Sequence, residues 1–236
     1  MTLSFSILAG TAFLIALIHT VLGPDHYLPF IALSRSRNWS VKKTLLITLV
    51  CGAGHVLSSI ILGAIGFTFG IAVTQLKTIE AYRGEIAAWL LFVFGITYLI
   101  WGIHRAVKNK PHRHMHHHGD GTEHVHKHTH NDKHIHVHDS GRKKITTWIL
   151  FIIFIFGPCE AFIPLLMFPA FDSNAMTMIA ITLIFSITTI ATMMVIVTLS
   201  YYGLSRLTNP KIGRFGHPTA GAVLVLCGAA ILFIGL

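Results

Sequence analysis

Apolar runs of 18 residues or more recur six times along this chain, and a segment of that kind belongs in a bilayer. They cover roughly Phe5–Leu33, Thr44–Phe67, Ile86–Ile103, Ile145–Ala170, Ala175–Tyr202 and Thr219–Leu236. Each is long enough for a hydrocarbon core of about 30 Å. Charged residues make up 11% of the chain, against about 25% in soluble domains. Together these features exclude a water-soluble globule and a disordered chain. The expected fold is an all-α polytopic membrane protein. The first run has no Lys or Arg before it and no small-residue cleavage site after it, so it reads as a retained helix. Cys51, Cys159 and Cys227 all lie inside apolar segments and form no disulfide framework.

The formal charge is +9. In a soluble protein that excess would suggest nucleic acid, but here most basic residues sit between apolar runs, where topology accounts for them. One face receives 16 of the 18 Lys and Arg residues, among them Arg35, Arg37, Lys42, Lys43 and nine residues from Arg105 to Lys144. The other receives Lys77 and Arg83 alone. By the positive-inside rule, both termini are expected outside and the long third connection in the cytoplasm of a bacterial inner membrane. Trp39, Trp101, Trp148 and Tyr201 would form the aromatic belt at the inner interface.

A shift of 134 residues superposes the two halves: Gly23-Pro24 falls on Gly157-Pro158, and Pro29 nearly meets Pro164. Three spans per half is an odd number, so the second half runs opposite to the first. The expectation is a 3+3 inverted-topology repeat with helices one and four broken. It divides the chain into a first repeat at 1–103, a His-rich loop at 104–144 and a second repeat at 145–236. Broken helices are tolerated at membrane depth only where protein or a watery cavity covers the backbone, so matched breaks point to a binding site.

Few ionisable residues lie within the spans, and each is costly there. His19, Asp25, His26, His55 and Glu160 fall near one depth, with Cys159 beside Glu160 as a softer possible ligand. Imidazole and carboxylate together suit a divalent first-row ion. Between His112 and His138 there are 12 histidines in 27 residues: His112, His114, His116, His117, His118, His124, His126, His128, His130, His134, His136 and His138. No apolar periodicity runs through this tract. It is expected to be disordered and to bind metal weakly at many sites.

His19, Gly23-Pro24-Asp25-His26 and Gly54-His55 followed by Ser58-Ser59 resemble the nickel/cobalt transporter superfamily, which includes NiCoT permeases, RcnA-type efflux proteins and UreH-like membrane proteins. The cytosolic His-rich loop resembles the RcnA-type group, and Gly157-Pro158-Cys159-Glu160 is similar to UreH-like members. The resemblance implies Asp25, His26 and His55 as ligands. Five residues separate His19 from Asp25-His26 where the family has four, a rotation of about 100° on a helix. The expectation is a transporter and not an enzyme. It would move Ni²⁺ or Co²⁺ by alternating access at the midplane, export before import, with protons as a possible coupling ion and no resident cofactor.

Three other readings compete. Six spans with two proline-flanked breaks also resemble the CcdA/DsbD thiol-disulfide electron carriers, whose chemistry needs a paired cysteine in each half. Here Cys159 alone occupies such a place, with Asp25 opposite it. An organic acid or sulfur oxyanion exporter would want fixed positive charge near the midplane, where no Lys or Arg is found. A membrane metallochaperone or urease-assembly partner would use the loop for docking. Replacing Cys159 with Ser separates the first of these from transport.

Overall fold

The computed structural model describes residues 2–108, 112–117, 123–128, 139–159, 161–165, 175–205 and 215–235. The first apolar run folds as α1 (Thr2–Leu22), a 3-10 turn (Pro24–His26) and α2 (Leu28–Ser36). Pro24 has no N–H to continue the helical ladder, which is why the run breaks there. Then come α3 (Val41–Thr68) and α4 (Val73–Lys108), and, after the His-rich segment, α5 (Asp139–Phe156), α6 (Ala175–Ser205) and α7 (Gly216–Ile234).

Local signals set several boundaries. Ser40 caps α3 by accepting the Lys43 N–H at 3.3 Å. At the other end Gly70 takes a φ of 62°, and the Ile71 N–H reaches back to the Gly66 carbonyl at 2.8 Å, closing a Schellman turn. The connection to α4 is therefore only four residues long. At 36 residues α4 is about 54 Å long. It starts well before the apolar run that begins at Ile86, and so carries Glu80 and Arg83 into the bundle.

Among the described residues, five helices are long and apolar enough to cross a membrane: α1, α3, α4, α6 and α7. The fourth expected span, at 145–170, is interrupted at Gly157-Pro158 as expected, and its residues 166–170 lie outside the described residues. Its apolar helix covers only Ile145–Phe156, followed by the break at 157–159 and a helical turn at 162–165. Within the His-rich segment, strands β1 (His112–His117) and β2 (Glu123–His128) pair antiparallel, with His112 opposite His128, His114 opposite His126 and His116 opposite His124. His118, His130, His134, His136 and His138 lie outside the described residues.

The helices pack around two apolar clusters. One joins α2, α3, α4, α5, α6 and α7 through Phe30, Cys51, Leu91, Leu150, Met193 and Leu224. The other joins α1, the 159–165 segment and α6 through Ala16, Cys159, Phe162 and Phe185. Many large apolar side chains face outward, Leu22, Leu57, Ile100, Ile187 and Phe233 among them. In water such a surface would aggregate; in a bilayer it meets acyl chains. The charged end of the bundle carries the expected aromatic residues. Arg35 lies over Tyr201 at 5.4 Å, Lys43 over Trp39 at 5.2 Å and Arg105 over Trp101 at 5.5 Å.

The most extensive helix pair is α4 with α7. Small residues allow it, as is usual between membrane helices. A Cβ on Gly221 would stand 2.5 Å from the Leu99 backbone, and one on Gly95 would stand 2.6 Å from the Val225 nitrogen. Gly221→Leu is therefore expected to destabilise the bundle by about 1–3 kcal/mol. Thermal unfolding in detergent reads this against Gly10→Leu, a position with nothing within 4 Å of an added Cβ.

Candidate functional site

Both helix breaks leave backbone groups that the helical ladder no longer serves, and side chains take them up. At the first break, the Gly23 N–H still donates to the His19 carbonyl at 2.9 Å, and the His26 N–H closes a tighter turn onto Gly23 at 3.1 Å. The Val21 carbonyl, which an unbroken helix would join to the Asp25 N–H, accepts instead from the Tyr27 hydroxyl at 3.1 Å. At the second break, Pro158 has no N–H for the Phe154 carbonyl. That carbonyl accepts from Gly157 N–H at 3.1 Å and from His55 Nδ1 at 3.3 Å.

These attachments aim three imidazoles at one point. The His19 and His26 ring centroids are 4.8 Å apart, and those of His26 and His55 are 5.1 Å apart. One nitrogen from each ring lies within 4.8 Å of the others. His26 and His55 are buried and His19 is half-buried. The break absorbs the extra residue between His19 and Asp25, so His19 joins the group despite the sequence offset.

The neighbours settle the tautomers of two rings. His26 Nδ1 faces Asp25 Oδ1 at 3.1 Å and the Gly23 carbonyl at 3.2 Å, both acceptors. His55 Nδ1 faces a carbonyl. Each Nδ1 therefore carries a proton, which in the neutral ring leaves the lone pair on Nε2. All three Nε2 atoms are buried and have no hydrogen-bond partner among the described residues. Buried polar atoms without a partner lack the hydration they would have in water. The glycines of both breaks keep the rings in place. A Cβ on Gly23 would stand 2.6 Å from His26 Nδ1, and one on Gly157 would stand 2.9 Å from His55 Nδ1.

The remaining candidates divide. Asp25 stands behind His26 as its hydrogen-bond acceptor and is not part of the cluster of ligating nitrogens. Cys159 is buried in the apolar cluster against α1 and α6 and also lies outside that cluster. Glu160 lies outside the described residues. A cavity of about 260 Å³ is lined by the three histidines, Asp25, Leu91 and Pro158. A larger one of about 600 Å³ shares His19 and Pro158 with it and reaches Glu85 and Trp89 on α4.

Sequence reasoning missed two charged residues beside the site. Glu80 is fully buried, pairs with Arg83 at 2.6 Å, and accepts the Cys159 N–H at 3.2 Å. Their i, i+3 spacing was the available signal, but both precede the apolar run and read as part of a loop.

The whole chain decides what these local motifs could not. Residues 9–231 match the family described as cytochrome c biogenesis protein transmembrane region. The chain belongs to that family. No curated protein and no solved structure matches it. Membership of the cytochrome c biogenesis transmembrane family overturns the assignment to the nickel/cobalt transporter superfamily, and with it nickel or cobalt transport as the function. The reason lies in the extent of each likeness. The transporter resemblance rests on about a dozen residues with one spacing offset, whereas the family match spans both breaks and every long helix. The family instead favours the thiol-disulfide carrier class that the proline-flanked breaks also suggest. It also supports a multi-pass membrane protein.

The capping roles are measurable. Tyr27→Phe, which removes a hydroxyl cap, is expected to cost about 1 kcal/mol. His55→Leu removes a buried donor to the Phe154 carbonyl and is expected to cost about 1–3 kcal/mol. Denaturant titration of the detergent-solubilised protein checks both.

Proposed function

We propose that this chain is a membrane-embedded thiol-disulfide carrier, with Cys159 as the exchanging thiol. The observation that supports the reading is the family match over residues 9–231 taken with the place of Cys159. Cys159 stands directly after the Gly157-Pro158 break, whereas Cys51 and Cys227 lie within the unbroken helices α3 and α7. The segments are read as a 3+3 inverted repeat, with the termini on one face and the His-rich segment in the cytoplasm. The 134-residue recurrence of Gly-Pro and the uneven distribution of Lys and Arg support this.

With one thiol at the breaks, exchange runs through mixed disulfides. The Cys159 thiolate attacks a disulfide on a partner protein. The partner's S–S bond breaks, a Cys159–partner S–S bond forms, and the departing sulfur takes up a proton. A thiolate of a donor dithiol attacks Cys159 sulfur and frees the partner's second thiol. The donor's other thiol then closes the donor disulfide and releases Cys159. Two electrons pass from donor dithiol to partner disulfide. Cys159 is only 1% exposed, so each exchange requires the 157–159 segment to open.

Reconstituted into vesicles, Cys159→Ser is expected to reduce transfer from a dithiol donor to background, with Cys51→Ser and Cys227→Ser retaining it. Undiminished transfer by Cys159→Ser would refute the reading.

The imidazole nitrogens, which have no partner among the described residues, support a second role at the histidine group beside Cys159: binding one resident first-row transition ion at His19, His26 and His55. Three neutral imidazoles suit Ni²⁺, Co²⁺, Cu²⁺ or Zn²⁺. Asp25 and the Phe154 carbonyl would act on the outer nitrogens, as acceptors commonly do behind ligating histidines. Two nitrogens on one ion at about 2.0–2.1 Å each lie at most about 4.2 Å apart. Modest ring rotations close the 4.8 Å limit seen here. The ion would supply positive charge to a buried site that has three lone-pair donors. Purified protein is expected to retain one such ion per chain after deletion of residues 112–138 and to lose it on His26→Ala or His55→Ala, by elemental analysis. Loss on the loop deletion alone would refute the second role.

A further inference from the structure

The second helix break is held by charged groups that the Cys159 chemistry does not itself require. In a continuous helix the Cys159 N–H would bond to the Ile155 carbonyl. Here that N–H goes to Glu80 Oε2 at 3.2 Å. The Ile155 carbonyl so freed accepts from Arg83 Nη2 at 2.7 Å. The same guanidinium nitrogen donates to Ser58 Oγ at 2.7 Å, and Arg83 Nη1 donates to Glu80 Oε1 at 2.6 Å. One turn further along α4, Gly84 lets Pro158 lie close: a Cβ there would stand 2.7 Å from the proline ring.

We propose that Glu80 and Arg83 replace, as a side-chain pair, the backbone hydrogen bond that the break removes between Cys159 and Ile155, and that they are positioning residues for the Cys159 thiol. The inference rests on the reading of Cys159 as the exchanging thiol. Burying a charged pair beside a membrane helix is costly, and an ordinary structural ion pair has no need of backbone partners. This pair is polarised to fit the break. The carboxylate meets the loose N–H and the guanidinium meets the loose C=O. Exchanging the two residues would set donor against donor and acceptor against acceptor. A pair that merely joined two helices by charge would tolerate the exchange.

The pair also links the break to the histidine centre. Ser58, which accepts from Arg83, donates to the His55 carbonyl at 2.8 Å. His55 in turn caps Phe154, the residue before Ile155. The α3 helix, the end of α5 and the first half of α4 thus meet at three backbone groups of the break: the Phe154 and Ile155 carbonyls and the Cys159 N–H.

The test is the rate at which a maleimide labels Cys159 in the full chain, reconstituted in nanodiscs, with Cys51 and Cys227 replaced by Ala. Glu80→Ala and the exchanged pair Glu80→Arg/Arg83→Glu are expected to raise the rate about tenfold, the ratio that loss of a charge-assisted hydrogen bond sets. Glu80→Gln keeps an acceptor for the Cys159 N–H and is expected to raise it less. It carries the test if the other variants fail to insert. The parallel protein that retains only Cys51 is expected to show no change in any variant. Unchanged Cys159 labelling, protection by the exchanged pair equal to the parent, or an equal rise at Cys51 would each overturn the proposal. The labelling does not depend on electron transfer, so failure of the carrier reading shows separately in the vesicle assay.

Discussion

A backbone that breaks inside a bilayer must satisfy its freed N–H and C=O groups from within the protein, because no water in the hydrocarbon region can do so. The arrangement around the two Gly-Pro breaks follows from that requirement. Tyr27 serves the Val21 carbonyl, His55 serves Phe154, Arg83 serves Ile155, and Glu80 receives the Cys159 N–H. Four side chains, Tyr27 just before α2 and three from α3 and α4, are thereby committed to fixed positions. The glycines at the breaks are part of the same solution, since a methyl group on Gly23 or Gly157 would occupy the space of the imidazoles.

Committing one end of an imidazole to the backbone decides what the other end offers. Once Nδ1 of His55 and of His26 face acceptors, Nε2 is the nitrogen each neutral ring has left to offer, and His19 completes the group of three. Structural capping and chemical potential are thus two ends of the same ring. The thiol at the second break stands apart from this centre, packed between α1 and α6, yet it is tied to it through Ser58 and Arg83. The two breaks therefore hold two chemically distinct groups, the imidazole nitrogens and a single sulfur, by one set of backbone constraints.

The site was legible in the sequence where cost marks function. An ionisable residue in an apolar run stands out, so His19, Asp25, His26, His55 and Glu160, with Cys159 beside it, could be singled out from the sequence. Their division of labour was not legible, because adjacency in sequence put Asp25 among the ligands while the turn at Pro24–His26 sets it behind His26. Glu80 and Arg83 were invisible for a related reason. Hydropathy ends a span at the first charges, whereas α4 continues through them because Glu80 is buried and Arg83 half-buried against the break. The local motif also misled about the family: a dozen residues fit a transporter pattern, while the match over 9–231 places the chain among the cytochrome c biogenesis transmembrane proteins.

By itself, the sequence determined that this is a helical membrane protein with two proline breaks, since apolar length and the missing proline N–H are properties of the chain alone. Only the tertiary structure decided what those breaks hold together. Which carbonyl a histidine caps, and which way its other nitrogen then points, depends on helices 99 residues apart in the case of His55 and Phe154. Such a pairing leaves no periodic trace in either segment, because it is a contact between one side chain and one backbone group, and the energy that selects it exists only once the helices have packed.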